Sequence, residues 1–316
     1  MKKTLIVFIA GIFTLCSCEK EDNSTAEWER VTSSVMDDKS ILSIAFSGTN
    51  MFAVVDSYGK GNLYSSTDNG ANWTAITQIP YKVISTTIFG NYIFAGTVYG
   101  IYRSADNGAS WTAVNTGIPF IMYTGLAEYN VHVCGTRLFV QYEGSFYSTT
   151  NNGDSWACIS NNLDIPIRSI TVSENYTIAC TWKGIYRSND NGVNWSAAIT
   201  DNKYVETLAN TSTNVIAGAT NGFYYSTDNA ANWTKANITD DTYQPWVECF
   251  FVSGKNVYAG VQSKGVYYSS DYGISWTTFN VGFDIEKHSK HIITLAVSGS
   301  YLYAGTSYDG IWRRPI

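Results

Sequence analysis

Residues 66–73 read Ser66-Thr67-Asp68-Asn69-Gly70-Ala71-Asn72-Trp73, and this eight-residue phrase is the first of a series along the chain. Its form, Ser-x-Asp-x-Gly-x-x-Trp, returns at residues 104–111, 188–195 and 269–276. Two further copies are degenerate: residues 149–156 carry Thr and Asn instead of Ser and Asp, and residues 226–233 carry Ala instead of Gly. Six copies of one phrase indicate an internal repeat, so the repeat is interpreted before any single segment.

The spacing of the copies predicts the architecture. Their tryptophans follow one another at intervals of 38, 45, 39, 38 and 43 residues, which is the period of a four-stranded propeller blade. The second period illustrates the pattern, with strands predicted at residues 83–89, 91–97 and 100–104 and a fourth opening at residues 111–114. The phrase therefore occupies the turn from the third strand to the fourth.

In that turn the phrase has a structural role. The Ser and Asp side chains are expected to hydrogen-bond turn amides, the Gly to adopt a positive φ, and the Trp to be buried between sheets. The residues given this role are Asp68, Asp106, Asn151, Asp190, Asp228 and Asp271, with Trp73, Trp111, Trp156, Trp195, Trp233 and Trp276.

The two ends of the repeat predict how the ring closes. Residues 292–316 supply a first, second and third strand of one more blade but no fourth. Residues 27–31 resemble the segment that opens a fourth strand, and Trp28 precedes Trp73 by 45 residues, about one period. We therefore predict an all-β, seven-bladed β-propeller of four-stranded antiparallel blades, in which an N-terminal strand completes the last blade and leaves no free sheet edge.

Composition excludes several classes of function. The chain is 45% hydrophobic, 15% aromatic and 15% charged, with a net charge of −6, which is typical of a globular protein. Its basic residues are scattered, so nucleic acid is not an expected partner. Only three histidines are present, no His, Cys and carboxylate set has metal-ligand spacing, and neither a metal nor another cofactor is predicted.

The N-terminus is typical of an export signal. Lys2 and Lys3 precede an apolar run at residues 5–15, and the following Leu15-Cys16-Ser17-Cys18 resembles the bacterial lipobox. The resemblance implies a lipoprotein signal peptide at residues 1–17, acylation of Cys18, a flexible tether at residues 18–26 and a propeller at residues 27–316. An ordinary signal peptide is the alternative. We expect an exported bacterial lipoprotein of the outer membrane or cell surface, monomeric and in contact with the membrane only through its lipid anchor.

Four other cysteines, Cys134, Cys158, Cys180 and Cys249, are irregularly spaced among apolar or small residues. They are predicted to be buried thiols, and one disulfide remains an open alternative because spacing does not give connectivity.

The repeated phrase resembles the Asp-box, or bacterial neuraminidase repeat, of sialidases. The fuller string at residues 184–195 is similar to the blades of xyloglucanases, sortilins and photosystem II assembly-factor-like propellers. The resemblance covers residues 27–316 and implies the propeller fold. It implies no single function, because Asp-box propellers include hydrolases, receptors and assembly factors.

The motifs that the enzymes of this superfamily use are not found. Likeness to sialidases would imply an Arg-Ile-Pro motif and an arginine triad, but the Ile-Pro pairs at residues 79, 118 and 165 lack a preceding Arg, and only Arg137 and Arg168 lie outside the repeat and its flanks. Likeness to xyloglucanases would imply two Asp in a cleft between two propellers, and one propeller is predicted here. No catalytic residue is assigned, although a glycoside hydrolase remains an alternative.

The face opposite the Asp-boxes is the predicted binding face. Its short turns vary where the rest repeats, and aromatic residues with nearby charges suit either a protein hot spot or stacking on sugar rings. The ligand-binding candidates are Trp182, Tyr308, Tyr142, Tyr99, Trp246, Glu143, Asp309 and Lys183. The favoured function is a non-catalytic binding or scaffold module for a protein partner at the cell envelope. The alternative is a surface glycan-binding protein of a polysaccharide uptake system.

Overall fold

The computed structural model describes residues 26–57, 62–119, 128–160, 162–163, 165–199, 204–239, 246–283 and 291–316. These residues form seven sheets, each made largely of consecutive antiparallel strands, so the predicted all-β, seven-bladed propeller is confirmed. None of them lies in a helix that could cross a membrane. Cys18 and the predicted signal peptide lie outside the described residues.

The strands are grouped by blade, and in each blade the first strand is innermost. Blade 1 contains β2 (Ile41–Ser47), β3 (Asn50–Val55), β4 (Leu63–Ser66) and β5 (Thr74–Ile76), and it follows the separate strand β1 (Glu29–Val31). Blade 2 contains β6 (Val83–Phe89), β7 (Tyr92–Thr97), β8 (Gly100–Ser104) and β9 (Thr112–Ala113), and blade 3 contains β10 (Tyr129–Cys134), β11 (Arg137–Tyr142), β12 (Ser145–Thr149) and β13 (Ala157–Cys158).

The remaining blades repeat this order. Blade 4 contains β14 (Ile167–Ser173), β15 (Tyr176–Thr181), β16 (Gly184–Ser188) and β17 (Ser196–Ile199), and blade 5 contains β18 (Val205–Asn210), β19 (Val215–Ala219), β20 (Gly222–Ser226) and β21 (Thr234–Lys235). Blade 6 contains β22 (Asn237–Ile238), β23 (Val247–Ser253), β24 (Asn256–Val261), β25 (Gly265–Ser269) and β26 (Ser275–Thr278), and blade 7 contains β27 (Ile292–Ser298), β28 (Tyr301–Thr306) and β29 (Ile311–Pro315).

Strand β1 closes the ring, as the sequence predicts. It is the fourth strand of blade 7, and Arg30 pairs with Trp312 in an antiparallel register along β29. Trp28, just before β1, is buried and donates its indole N–H to the carbonyl oxygen of Phe279 at 2.6 Å. The closing strand therefore joins blade 7 by its backbone and blade 6 by its tryptophan.

Blade 6 departs from the prediction of four strands per blade. Its fifth strand, β22, pairs in parallel with the outermost strand β26. After β21 leaves blade 5, the chain continues extended along the free edge of blade 6, where Asn237 N–H donates to the Ile274 carbonyl oxygen at 3.1 Å. An exposed edge strand offers unpaired backbone groups, and the connection between the blades satisfies some of them here.

The turns made by the repeated phrase, called Asp-box turns below only for the resemblance of the phrase, are held by hydrogen bonds from their own side chains. In the second copy, the Ser104 hydroxyl accepts the Gly108 N–H at 2.8 Å and donates to the Asp106 carboxylate at 2.8 Å. The same carboxylate accepts the Ser110 N–H, and Gly108 has a φ of 87°. In the fifth copy Ala230 adopts a φ of 66° in place of glycine. Each turn is thus held by its own side chains.

The Asp-box tryptophans pack each blade against the preceding one. Trp276 of blade 6 stacks on Phe223 of blade 5, with ring centroids 4.1 Å apart and an interplanar angle of 11°. Trp156 of blade 3 donates its indole N–H to the carbonyl oxygen of Val114, which follows blade 2, at 2.9 Å. The core is therefore a series of interfaces between blades, as the separate hydrophobic clusters also indicate.

The innermost strands approach one another closely. The Ser43 hydroxyl of blade 1 donates to the Thr86 carbonyl oxygen of blade 2 at 2.9 Å and accepts the Thr86 N–H at 3.2 Å. The second strand of blade 2 also lies close to the first strand of blade 3: at Gly96 a Cβ atom would overlap the carbonyl oxygen of Tyr129, so no side chain fits there. This close spacing leaves a narrow cavity along the axis of the ring.

The four described cysteines are free thiols, and no disulfide links them. Cys180 is fully buried, as predicted, whereas Cys134, Cys158 and Cys249 are half-buried. Burial raises the pKa of the Cys180 thiol to about 12.

Candidate functional site

The two faces of the ring carry different turns. The Asp-box turns lie on one face, which we call the Asp-box face. The turns between second and third strands and the connections between blades lie on the other, the loop face. In blades 1, 2, 5, 6 and 7 the residue before the first strand accepts a backbone hydrogen bond from the turn after the second strand. Thr220 N–H, for example, donates to the Tyr204 carbonyl oxygen at 3.0 Å, and Gln262 N–H donates to that of Trp246 at 2.9 Å.

Exposed aromatic side chains mark one sector of the loop face. Among the described residues, the large aromatic side chains with the greatest exposure are Trp182, Tyr204, Trp246 and Tyr308. Trp182 and Tyr308 lie in turns after second strands, and Tyr204 and Trp246 lie directly before first strands. All four belong to blades 4 to 7. Exposed aromatic rings in one sector form a surface able to bury against a ligand.

Several predicted candidates lie on this face with accessible side chains. Trp182 is 48% exposed, and the Lys183 ammonium lies 4.9 Å from the centre of its ring. Tyr308 is 72% exposed and Trp246 is 41% exposed. Glu143 is also exposed, at a φ of 48° in its turn, but it belongs to blade 3 and lies outside the aromatic sector.

Two candidates are not accessible to a ligand, which corrects the sequence-based prediction. Tyr142 is 3% exposed and stacks on Tyr129, with ring centroids 4.4 Å apart. Asp309 is 4% exposed and forms an ion pair with Arg30 at 3.0 Å. Both side chains turn into the protein because a neighbouring residue offers a packing surface or a charge there. Tyr99 is half-buried and packs on Tyr81 at 4.7 Å between ring centroids.

The axial cavity opens among the first strands of all seven blades and has a volume of about 450 Å³. This volume lies within the usual range of ligand pockets, about 300–1,000 Å³. Six of the seven first strands carry a β-bulge at their second residue, whereas β10 of blade 3 pairs without one. A bulged residue is left unpaired and its side chain is redirected.

These second residues form what we call the bulge ring, which lines the cavity near the loop face. In blade order its members are Leu42, Ile84, Asn130, Arg168, Glu206, Glu248 and Ile293. The ring is asymmetric, because blades 4 to 6 contribute charged side chains and blades 7, 1 and 2 contribute aliphatic ones. The charged arc lies in the same sector as the exposed aromatic residues.

Charges within the arc are partly compensated. The Arg168 guanidinium forms a short ion pair with the Glu206 carboxylate of the next blade. Glu248 has no hydrogen bond or ion pair with another described residue. Desolvation by the surrounding protein raises the pKa of Glu248, and the nearby His291 acts in the opposite direction. The arc therefore presents one carboxylate, Glu248, that has His291 nearby but forms no ion pair with another described residue.

His132 of blade 3 also lines the cavity. Its Nε2 atom is inaccessible to solvent and lacks a hydrogen-bond partner, and burial lowers the pKa of its imidazole to about 4. Among the described residues, no group of three or more His, Cys, Asp or Glu side chains lies close enough to hold a metal ion. His288, the other histidine of the last connection, lies outside the described residues.

The bulge ring and Tyr204 were missed by the sequence analysis, although a signal was available. Aligning the blades at their first strands gives a recurring order of entry residue, buried residue, ring residue and mostly small residue. The aligned segments are Ser40–Ser43, Lys82–Ser85, Glu128–Val131, Pro166–Ser169, Tyr204–Thr207, Trp246–Cys249 and His291–Thr294. The third position changes from apolar to charged around the ring, and that change identifies the arc.

Comparison with solved structures supports the fold. YCF48 bound to D1 peptide has a TM-score of 0.66 and 16% identity over 92% of this chain and 96% of that one. A catalytically inactive virginiamycin B lyase from Staphylococcus aureus, with quinupristin, has a TM-score of 0.67 and 13% identity over 92% and 99%. An ancestral GH74 enzyme has a TM-score of 0.62 and 14% identity over 89% of this chain and 48% of that one.

No protein-family profile matches the chain, and no curated protein matches it in sequence. At identities this low, structural likeness shows the β-propeller fold alone, and this fold carries both binding proteins and enzymes.

Proposed function

We propose that the protein is a non-catalytic binding module that docks a protein partner on the loop face, in the sector of blades 4 to 7. The observation that carries the proposal is the position of Trp182, Tyr204, Trp246 and Tyr308, which expose aromatic rings in this one sector. Tryptophan and tyrosine are the residues most enriched at the energetic centres of protein interfaces. The fold of YCF48 bound to D1 peptide is similar, so a peptide is a ligand class that this architecture accommodates.

Site-specific photo-crosslinking on intact cells tests the docking face. A photoreactive phenylalanine analogue is placed at Trp182, Trp246 or Tyr308, and in matched controls at Val193 or Ile274, which are exposed residues of the Asp-box turns. One protein crosslinked from all three loop-face positions and from neither control supports the proposal. The identified partner must also bind the purified chain, and a Trp182→Ala, Trp246→Ala double variant must weaken that binding at least tenfold.

Native mass spectrometry with mixed oligosaccharides tests the alternatives. An intact glycan adduct that Trp182→Ala and Trp246→Ala abolish, with no crosslinked protein, would replace the proposal by glycan binding at the same rings. Shortened oligosaccharides would overturn the non-catalytic assignment. Crosslinks from Val193 and Ile274 alone would move the docking surface to the Asp-box face.

We also propose that acylation of Cys18 holds this module at the bacterial cell envelope. The support is the sequence Leu15-Cys16-Ser17-Cys18 after an apolar run. Mass spectrometry of the mature N-terminus should find a lipid-modified Cys18, and Cys18→Ser should release the protein from the membrane fraction. An unmodified N-terminus elsewhere would contradict the anchor.

A further inference from the structure

The bulge ring presents an incomplete charge arrangement at the centre of the proposed docking face. Arg168 and Glu206 neutralise each other across blades 4 and 5. Glu248, in the equivalent position of blade 6, lines the same cavity and is solvent-exposed. With Arg168 contributing one positive charge and the two glutamates one negative charge each, these three residues carry a net charge of −1. A ligand that brings one cation would complete the arrangement.

The surroundings of Glu248 define what else the ligand must carry. On one side of the ring Glu248 is followed by the aliphatic Ile293 of blade 7 and Leu42 of blade 1, and both line the cavity. On the loop face, Trp246 lies two residues before Glu248 and exposes its indole. A compact hydrated cation would leave the aliphatic half of the ring without a contact. A cation on an apolar stem would bury that stem on the aliphatic side and could stack its head on an aromatic ring.

We propose that the ring binds an arginine or lysine side chain of the protein partner, with its charged head at Glu248 and its aliphatic stem along Ile293 and Leu42. This inference rests on the proposed function, and it names the chemistry by which the partner is recognised. The partner then inserts a basic residue into the axial cavity while its flanking residues cover the exposed aromatic rings. Arginine, tryptophan and tyrosine are the residues enriched at interface hot spots, and close charge pairs across an interface can be strongly coupled.

Short peptides test the recognition chemistry directly. The probes are acetyl-Gly-Arg-Gly-amide, its lysine counterpart, and its citrulline counterpart, which has nearly the shape of arginine without the charge. Titration calorimetry and ligand-observed NMR at low salt measure binding. The arginine peptide should bind at least tenfold more tightly than the citrulline peptide, because a charge-assisted hydrogen bond is lost with the charge. Equal binding of the two peptides, or binding of none, would overturn the proposal.

Two ring variants should act in opposite directions. Glu248→Gln should weaken arginine-peptide binding about tenfold or more. Arg168→Gln should strengthen it, because removing the internal cation frees the Glu206 carboxylate for the ligand. The matched control is Glu128→Gln, which removes the same charge from an exposed entry residue of blade 3 outside the ring. Damage to folding cannot produce a gain in affinity, so the pair of variants separates binding from stability.

Two outcomes would refute the assignment of Glu248. The first is a similar loss of arginine-peptide affinity in Glu128→Gln and Glu248→Gln, which would attribute the binding to long-range attraction by a protein of net negative charge. The second is weaker binding in Arg168→Gln. If the loop-face crosslinks persist while Glu248→Gln leaves partner affinity within twofold, the inference fails and the docking proposal stands. Loss of those crosslinks from the unmodified chain would instead remove the proposed function itself.

Discussion

Replacing Trp28 by alanine tests whether the closing strand holds the ring together. Trp28 is 3% exposed. Its ring meets Phe283 edge-on at 5.3 Å and Phe279 at 6.4 Å between centroids. Its indole N–H donates to the Phe279 carbonyl oxygen, which also accepts from Arg314 at 3.2 Å. In Trp28→Ala that carbonyl oxygen still accepts a hydrogen bond from Arg314. Most of the expected loss in unfolding free energy therefore comes from the lost packing.

The expected loss in the free energy of unfolding is about 3–5 kcal/mol, the usual range for truncating a buried tryptophan. Because Trp28 also makes two edge-on aromatic contacts, this loss should exceed the loss from truncating an apolar side chain that lacks such contacts. At about 2 °C per kcal/mol, as for domains of roughly this size, Tm should fall by about 6–10 °C. Trp28→Phe should lose less than half as much unfolding free energy as Trp28→Ala, because it keeps an aromatic ring in the same pocket.

Urea denaturation followed by tryptophan fluorescence and far-ultraviolet circular dichroism measures the effect. The matched control is Trp182→Ala, which removes the same side chain from a half-exposed site and should cost about 1 kcal/mol or less. Hydrogen exchange should show that β29 and β1 lose protection first. If Trp28→Ala costs no more than Trp182→Ala, the closing strand contributes nothing to the ring and the reasoning is refuted.

Three further predictions concern the Asp-box turns and the core. Ser104→Ala should cost about 1–3 kcal/mol of unfolding free energy in urea titrations, because the Gly108 N–H loses its partner inside the protein; an unchanged midpoint would contradict this. Hydrogen bonds from the Asn72 backbone to Asp68 and from the Ser110 side chain to Asp106 lower the pKa of each carboxyl to about 2 from 3.8. Because the folded pKa is depressed, this stabilisation is complete above pH 4 and is lost as the pH falls from about 4 to about 2. Urea midpoints at pH 5, 3.5 and 2.5 should drop less steeply in Asp106→Asn, and equal slopes would refute the linkage. Cys180, buried and with a thiol pKa of about 12, should resist thiol reagents at pH 8 until urea unfolds the chain, whereas rapid labelling of the native protein at Cys180 would show that blade 4 opens.

The repeated parts of the molecule could be predicted from sequence because each copy forms the same turn with the same hydrogen bonds. Every third-to-fourth strand turn has amides to satisfy, and one Ser and one Asp satisfy them in the same geometry each time, as Ser104 and Asp106 do. Closure of the ring by β1 could also be predicted, because Trp28 follows the spacing of the other tryptophans. These features depend on short-range chemistry repeated along the chain, which is what a single sequence records most directly.

The predictions that were wrong concern residues whose positions depend on contacts formed only in the folded protein. Tyr142 looked like a loop residue because it ends a second strand, yet a neighbouring Tyr129 offers a stacking surface. Asp309 looked accessible in its turn, yet Arg30 from the other end of the chain neutralises it. The fifth strand of blade 6 depends on an edge that only the folded neighbour provides. Arg30 lies 279 residues from Asp309 in sequence, whereas Tyr129 is the cross-strand partner of Tyr142 in the same hairpin. The repeat predicts neither contact, because the residues that form it do not recur in the other blades.

The bulge ring shows why the functional part of a propeller escapes a search for repeats. A bulge inserts one residue into a strand and redirects a side chain, so strict alternation assigns that residue to the wrong face. In this chain the redirected side chains line a cavity, and their contacts differ from blade to blade: Leu42 packs on the cluster between blades 1 and 2, whereas Arg168 pairs with Glu206. The cavity therefore accepts residue types that one fixed packing contact would exclude. Leu42, Arg168 and Glu248 therefore occupy equivalent positions, whereas the Asp-box residues, which must fit one turn, barely change. Positions that vary among copies of an otherwise regular repeat are consequently the positions at which a ligand can be selected.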